Sequence, residues 1–265
     1  MRALDRGKAW PIAVGGVAAT AWVALAFWEL TPYGRFIDHG GWLEAGFVGS
    51  LCAATPYRGL APPALLYVGG WVLMTIAMML PTALPLVAMF ARMTEGRPNR
   101  DALLALLILG YLAIWTVFGL MAHALDSALR AYVTGDPLLS LNGWAIGAVV
   151  VGIAGAFQFS RLKYLCLDQC RTPFSFVSRH WRGVAARRQS FMLGARHGLF
   201  CLGCCWAIML LMFVVGTGSI GWMLAIGAVM ATEKNASWGP RLSAPLGVAL
   251  LLTSSAIVAQ HLWRA

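Results

Sequence analysis

Long apolar runs separated by short basic segments restrict what this chain can fold into more than any other feature. Several of them approach about 20 residues, the length that carries a helix across a bilayer core. In hydrocarbon every backbone N–H and C=O must be satisfied within the spanning segment, so such runs fold as helices. Charged residues make up 11% of the 265 positions and hydrophobic ones 60%, against about 25% charged in soluble domains. The polar surface needed to cover a water-soluble fold is missing. The expectation is an all-α, polytopic transmembrane helical bundle, with residues 1–265 forming a single integral membrane domain.

Seven spans are expected, at about 10–30, 64–91, 103–125, 143–159, 193–215, 219–232 and 244–261. The sixth is short and reaches the fifth through residues 216–219, a link that fits only a tight hairpin. A six-span version treats this pair as one re-entrant element. No internal repeat is visible, so the inverted-repeat architecture of many transporters gains no support.

The distribution of basic residues sets the orientation. With the N-terminus cytoplasmic, sixteen Lys and Arg residues fall in inner segments and four, Arg35, Arg58, Arg130 and Arg264, in outer ones. This is a strong positive-inside bias. The net charge of +10 therefore points to anionic lipid headgroups rather than nucleic acid, which would need a soluble basic domain. Residues 31–63 become an external loop carrying Asp38, His39, Glu44 and Cys52. Residues 160–192 become a basic cytoplasmic amphipathic loop, in which Phe174, Phe176, Val177, Trp181, Val184 and Phe191 alternate with arginines.

Cysteine usage is concentrated. Five of the six cysteines lie in two places, Cys166 with Cys170, and Cys201 with Cys204 and Cys205 just after His197. At about 100° per helical residue, Cys201 lies about 40° from His197, Cys204 about −20° and Cys205 about 80°. His197, Cys201 and Cys204 thus share a stripe that Cys205 borders. Cys166 and Cys170 stand at i and i+4, one turn apart on one face, and Pro173 marks the end of that turn. A reducing cytoplasmic compartment leaves these thiols available to metal rather than to disulfides. Thiol, thioether and imidazole donors favour Cu(I), with zinc as the alternative.

Further donors lie in the second span. Met74 and Met78 share a face, Met79 adjoins them, and Pro81 and Pro85 are expected to kink the helix and free carbonyls there. Glu233 ends the sixth span beside Lys234. It reads either as a ligand or proton acceptor or as half of a surface ion pair, since carboxylates near spans are costly. The candidate metal set is Cys166, Cys170, His197, Cys201, Cys204, Cys205, Met78, Met79 and Glu233. His123 and Asp126 mark an outer entry or simple interfacial polarity, and Gln158 is expected to bond between helices.

The residues Trp71–Pro81 with Pro85, Phe157-Gln158-Phe159-Ser160 with Lys163, and Cys166-Leu167 with Cys170-Arg171-Thr172-Pro173 carry a resemblance. So do Trp181-Arg182-Gly183, His197-Gly198, Cys201-Leu202-Gly203-Cys204-Cys205-Trp206 and Glu233-Lys234. Together they resemble the bacterial membrane family numbered 2182 among domains of unknown function, described as predicted metal-binding integral membrane proteins. The resemblance implies a multi-pass protein of the bacterial inner membrane. Members of that family usually have tyrosine before the glutamine and Ser-Pro-Leu-Lys after it; here Phe157 and Ser160-Arg161-Leu162-Lys163 stand instead.

Three functions fit these residues. The first is a metal-handling protein, most plausibly for copper, acting in transport or in delivery to a membrane enzyme. The second is a membrane thiol–disulfide oxidoreductase, although no C-x-x-C pair stands alone on the outer side. The third is a structural, metal-bearing subunit of a larger membrane complex. Lipids are the expected surroundings, with a membrane protein partner or a second copy as further contacts. No nucleotide-binding loop, hydrolase triad or HExxH motif occurs, which argues against an energy-coupled pump acting alone.

Overall fold

The structure is a computed structural model that describes residues 2–30, 61–135, 143–215 and 219–264. Cys52 and nearly all of the expected external loop lie outside these residues, as does most of the 216–219 link. The described residues are helical, with no strand among them. Eleven α-helices follow in order: α1 (Arg2–Glu29), α2 (Ala61–Met78), α3 (Leu84–Met93), α4 (Arg100–Gly135), α5 (Gly143–Phe157) and α6 (Arg161–Arg171). Then come α7 (Pro173–His180), α8 (Ala186–Leu210), α9 (Met212–Val215), α10 (Ile220–Asn235) and α11 (Ser243–Arg264).

Among the described residues four helical stretches are long and apolar enough to cross a membrane: Trp10–Trp28, Arg100–Val133, Ala186–Val214 and Gly239–Trp263. Two bent pairs raise the number to six if each is one span, Leu66–Met78 with Pro81–Met93 and Trp144–Phe157 with Arg161–Arg171. The six overlap six of the seven expected segments, the fourth only by adding α6, which was expected in the cytoplasmic loop. The expected sixth span, α10, has 16 residues, about 24 Å at 1.5 Å per residue, short of a hydrocarbon core about 30 Å thick.

Proline chemistry accounts for the first bent pair. Pro81 and Pro85 have no N–H to give to the preceding turn, and the helix breaks there by 45° around a 3₁₀ turn at Pro81–Ala83. In the second pair the chain turns by 63°. Ser160 ends that turn by capping α6, its hydroxyl accepting from Lys163 N at 3.1 Å. Arg161 holds the first helical position, the place of the proline in the resembling family. Proline is favoured there but not required, so the serine cap starts the helix without it.

The most extensive helix pairing is α4 against α8. Small residues permit it. A Cβ on Gly194 would run into the Leu107 carbonyl, and one on Gly110 into that of Phe191. Close backbone approach of this kind is a common way to pack helices where hydrophobic driving force is weak. The approach carries Tyr111 of α4 to Cys201 of α8. Trp71 of α2 donates to the Trp115 carbonyl at 2.8 Å, fixing α2 on the other side of α4.

Residues 160–192, expected as a basic amphipathic loop, fold as α6, α7 and the first turns of α8. Phe176, Val177 and Trp181 turn inward, with Trp181 edge-on to Phe90 at 4.8 Å. Phe174 and Val184 stay exposed. Hydrophobic side chains assigned to a lipid interface thus divide between the protein core and its outer face.

Candidate metal centre

The centre is built on α8. His197, Cys201, Cys204 and Cys205 are each at most 3% exposed, so their shared stripe faces the interior. Cys204 and Cys205 both donate back to the Cys201 carbonyl, at 3.0 and 2.8 Å. Cys201 Sγ has two other neighbours, the Tyr111 hydroxyl at 3.0 Å and the Lys234 ammonium at 2.9 Å.

The two cysteine clusters meet. Helix α6 packs along α8 and so brings Cys166 and Cys170 to the helix that bears Cys201, Cys204 and Cys205. Cys170 is partly buried, Cys166 is buried at 8% exposure, Cys201, Cys204 and Cys205 are at 1%, and all five are free. Cys166 packs onto α8 at Gly203, where an added Cβ would lie 2.6 Å from its sulfur. The glycine inside the cysteine run is a notch for a thiol from another helix.

Helix α6, which carries Cys166 and Cys170, is fastened to the end of α10. The Arg171 guanidinium donates to the carbonyls of Glu233 and Ala236, both at 2.7 Å. A cation at a helix C-terminus satisfies carbonyls that have no intrahelical donor. Farther along α6, Lys163 is fully buried and its ammonium meets Glu233 at 2.6 Å. Gln158 Oε1 accepts from the same ammonium, and Ser243 donates to the carboxylate at 2.6 Å.

Glu233 is bound to Lys163 and Ser243, not to the thiols and not to Lys234. Adjacent helical residues point about 100° apart, so Lys234 takes the thiol side and Glu233 the α6 side. Both are buried, at 6% and 2% exposure, which replaces the expected surface pair. Met79 enters the thiol pocket, its sulfur 3.8 Å from Lys234 Nζ, whereas Met78 lies over Gly227 of α10. The Met79 carbonyl at the proline break is taken by Tyr111 at 3.2 Å and Thr82 at 2.8 Å.

His197 packs against Tyr111 and Phe176, with ring centroids 5.9 and 5.5 Å away. Its Nδ1 has no hydrogen-bond partner among the described residues. His123 stacks on Tyr67 at 4.1 Å with Asp126 buried nearby, about 18 Å along α4 from Tyr111 by helical rise. Gln158 donates within its own helix, to the Ala154 carbonyl at 2.9 Å, besides accepting from Lys163.

Sequence reasoning missed Lys163, Lys234, Tyr111 and Arg171 as parts of the centre. Two signals pointed to them: a tyrosine hydroxyl within the apolar run of α4, and cations beside apolar helices, where burial demands a partner.

Among the described residues no three His, Cys, Asp or Glu side chains stand ready to hold a metal ion. What the pocket offers is a set of sulfurs: Cys201, Cys205 and Met79 around the Lys234 ammonium, with Cys166 packed onto the same helix at Gly203. Soft donors of this type select Cu(I) over hard cations. No curated protein and no solved structure matches the chain. A family model described as PpoB2, copper chaperone, matches residues 68–257, from the start of the Trp71 motif through most of α11 and thus across every residue of the pocket. With well over half of its length matched, the chain belongs to the PpoB2 copper chaperone family.

Proposed function

We propose that the protein is a multi-pass inner-membrane chaperone that accepts Cu(I) on its cysteine sulfurs and passes it to a membrane enzyme. One observation carries this reading: Cys166 on one helix packs into the notch at Gly203 on another, bringing two cysteine clusters that are well separated in sequence together. Cys170, the partly exposed thiol, receives the ion first. Cys201 and Cys204 then take it inward by thiol-for-thiol exchange, which leaves copper as Cu(I) throughout. A cargo that must leave again is better served by two or three sulfurs than by a closed cage. His197, with its unpartnered Nδ1, is a further donor beside Cys201. Under the positive-inside orientation the pocket opens to the cytoplasmic side, and anionic lipids surround the basic ends of the helices. Zinc, the alternative read from the donor types, has no support from the family.

The test is elemental analysis of the purified full chain after exposure to Cu(I), with X-ray absorption to count sulfur neighbours. Wild type is expected to retain stoichiometric copper with sulfur ligands, and Cys201→Ala combined with Cys204→Ala to lose it. Wild-type protein that keeps no copper, or a double variant that keeps it all, refutes the proposal.

A further inference from the structure

We propose that the Lys234 ammonium is a built-in stand-in for the copper ion: it occupies the inner cation position of the pocket, and Cu(I) enters by expelling it. The inference rests on the copper reading above and adds to it where the ion sits and what leaves when it arrives.

The surroundings of Lys234 Nζ are unusual for an ammonium. Its neighbours are Cys201 Sγ at 2.9 Å, Thr82 Oγ1 at 3.5 Å, Cys205 Sγ at 3.7 Å and Met79 Sδ at 3.8 Å. Three of the four are sulfur, and no carboxylate is among them. A buried cation is normally paired with an anion or a full set of oxygen acceptors. The adjacent carboxylate, Glu233, is already bound to Lys163 and Ser243. The donors around Lys234 therefore suit a soft metal ion better than the group now among them.

Space decides how the two cations share the pocket. An ion bonded to the Cys201, Cys205 and Met79 sulfurs would lie where Nζ now lies among them. The two cannot hold that position together. The exit is short. Lys234 is the penultimate residue of α10, and its flexible four-carbon stem can carry the ammonium to the polar end of the helix. In the exchange the N–H···S contacts break and Cu–S bonds form. Copper keeps its oxidation state, and each thiol that becomes a ligand releases its proton to buffer. The device also makes release reversible, because the returning ammonium competes for the sulfurs.

The experiment uses the full chain in lipid nanodiscs, with Cu(I) buffered by a chromophoric chelator and Ag(I) as a redox-inert second probe. Amine acylation read by mass spectrometry reports on Lys234, with Lys163 as the internal control. Metal loading is expected to raise acylation of Lys234 by about tenfold while Lys163 stays protected. Lys234→Leu, whose side chain stops short of the sulfurs, is expected to bind Cu(I) about tenfold more tightly. Wild type that binds Cu(I) while Lys234 remains as protected as Lys163 overturns the inference and leaves the copper reading standing. A Leu variant that binds Cu(I) no more tightly than wild type does the same. If that variant does not fold, acylation of the wild type decides alone. Wild type that takes up no Cu(I) refutes the copper reading itself, and this inference with it.

Discussion

Among the described residues two lysines are buried, and their surroundings differ in kind. Lys163 sits among a carboxylate, a side-chain amide and a neighbouring serine, an oxygen-rich site in which its charge is neutralised. Lys234 sits among three sulfurs and one hydroxyl. The carboxylate partner of the first is the sequence neighbour of the second. One helix end thus sends an anion toward α6 to hold the fold together, and a cation toward α8 to fill a pocket. A buried charge that is fully matched behaves as structure, while one matched by the wrong donors is free to be exchanged.

The largest effect is expected from breaking the matched pair. Glu233→Leu strands the Lys163 ammonium and is expected to cost about 3–5 kcal/mol, whereas adding Lys163→Leu recovers most of the loss. Thermal unfolding of the single and double variants in detergent measures this; equal destabilisation in both would mean that packing matters there and charge does not. A smaller effect is expected from Gly203→Val, which drives a side chain into Cys166 and costs about 1–3 kcal/mol by overpacking. The same variant should weaken Cu(I) binding by lifting Cys170 away from α8. Gly221→Ala, in a helix position with open space around it, supplies a control that should not weaken binding. The smallest effect belongs to Lys234→Leu, expected to leave stability within about 1 kcal/mol of wild type, because a poorly matched buried charge contributes little to the fold. A loss as large as that of Glu233→Leu would erase the distinction between the two lysines.

The features legible in the sequence were those set by local chemistry. Helix content followed from apolar run length, the break before α3 from Pro81 and Pro85, and the end of α6 from Pro173. The stripe of His197, Cys201 and Cys204 followed from helical phase alone. Partner choice was not legible, because it depends on how helices rotate against one another. Glu233 and Lys234, adjacent in sequence, suggested a pair with each other; in the fold each has a different partner on a different helix. Lys163 and Lys234 were counted among cytoplasmic loop cations, yet both are buried, so the inside bias rests on the remaining residues. The expected sixth span did not reach full length because α10 is 16 residues long, and apolar run length alone does not fix where a helix ends.

Gly203 carries a consequence for reading sequences of this type. In the run Cys201-Leu202-Gly203-Cys204-Cys205 the cysteines name the chemistry, and the glycine names the geometry. Its missing side chain acts as a keyway that admits only a helix bearing a small, soft group at the matching height. A Cys-x-Gly-Cys-Cys run in an apolar helix is therefore half of a lock, and the chain that contains it should be searched for the other half.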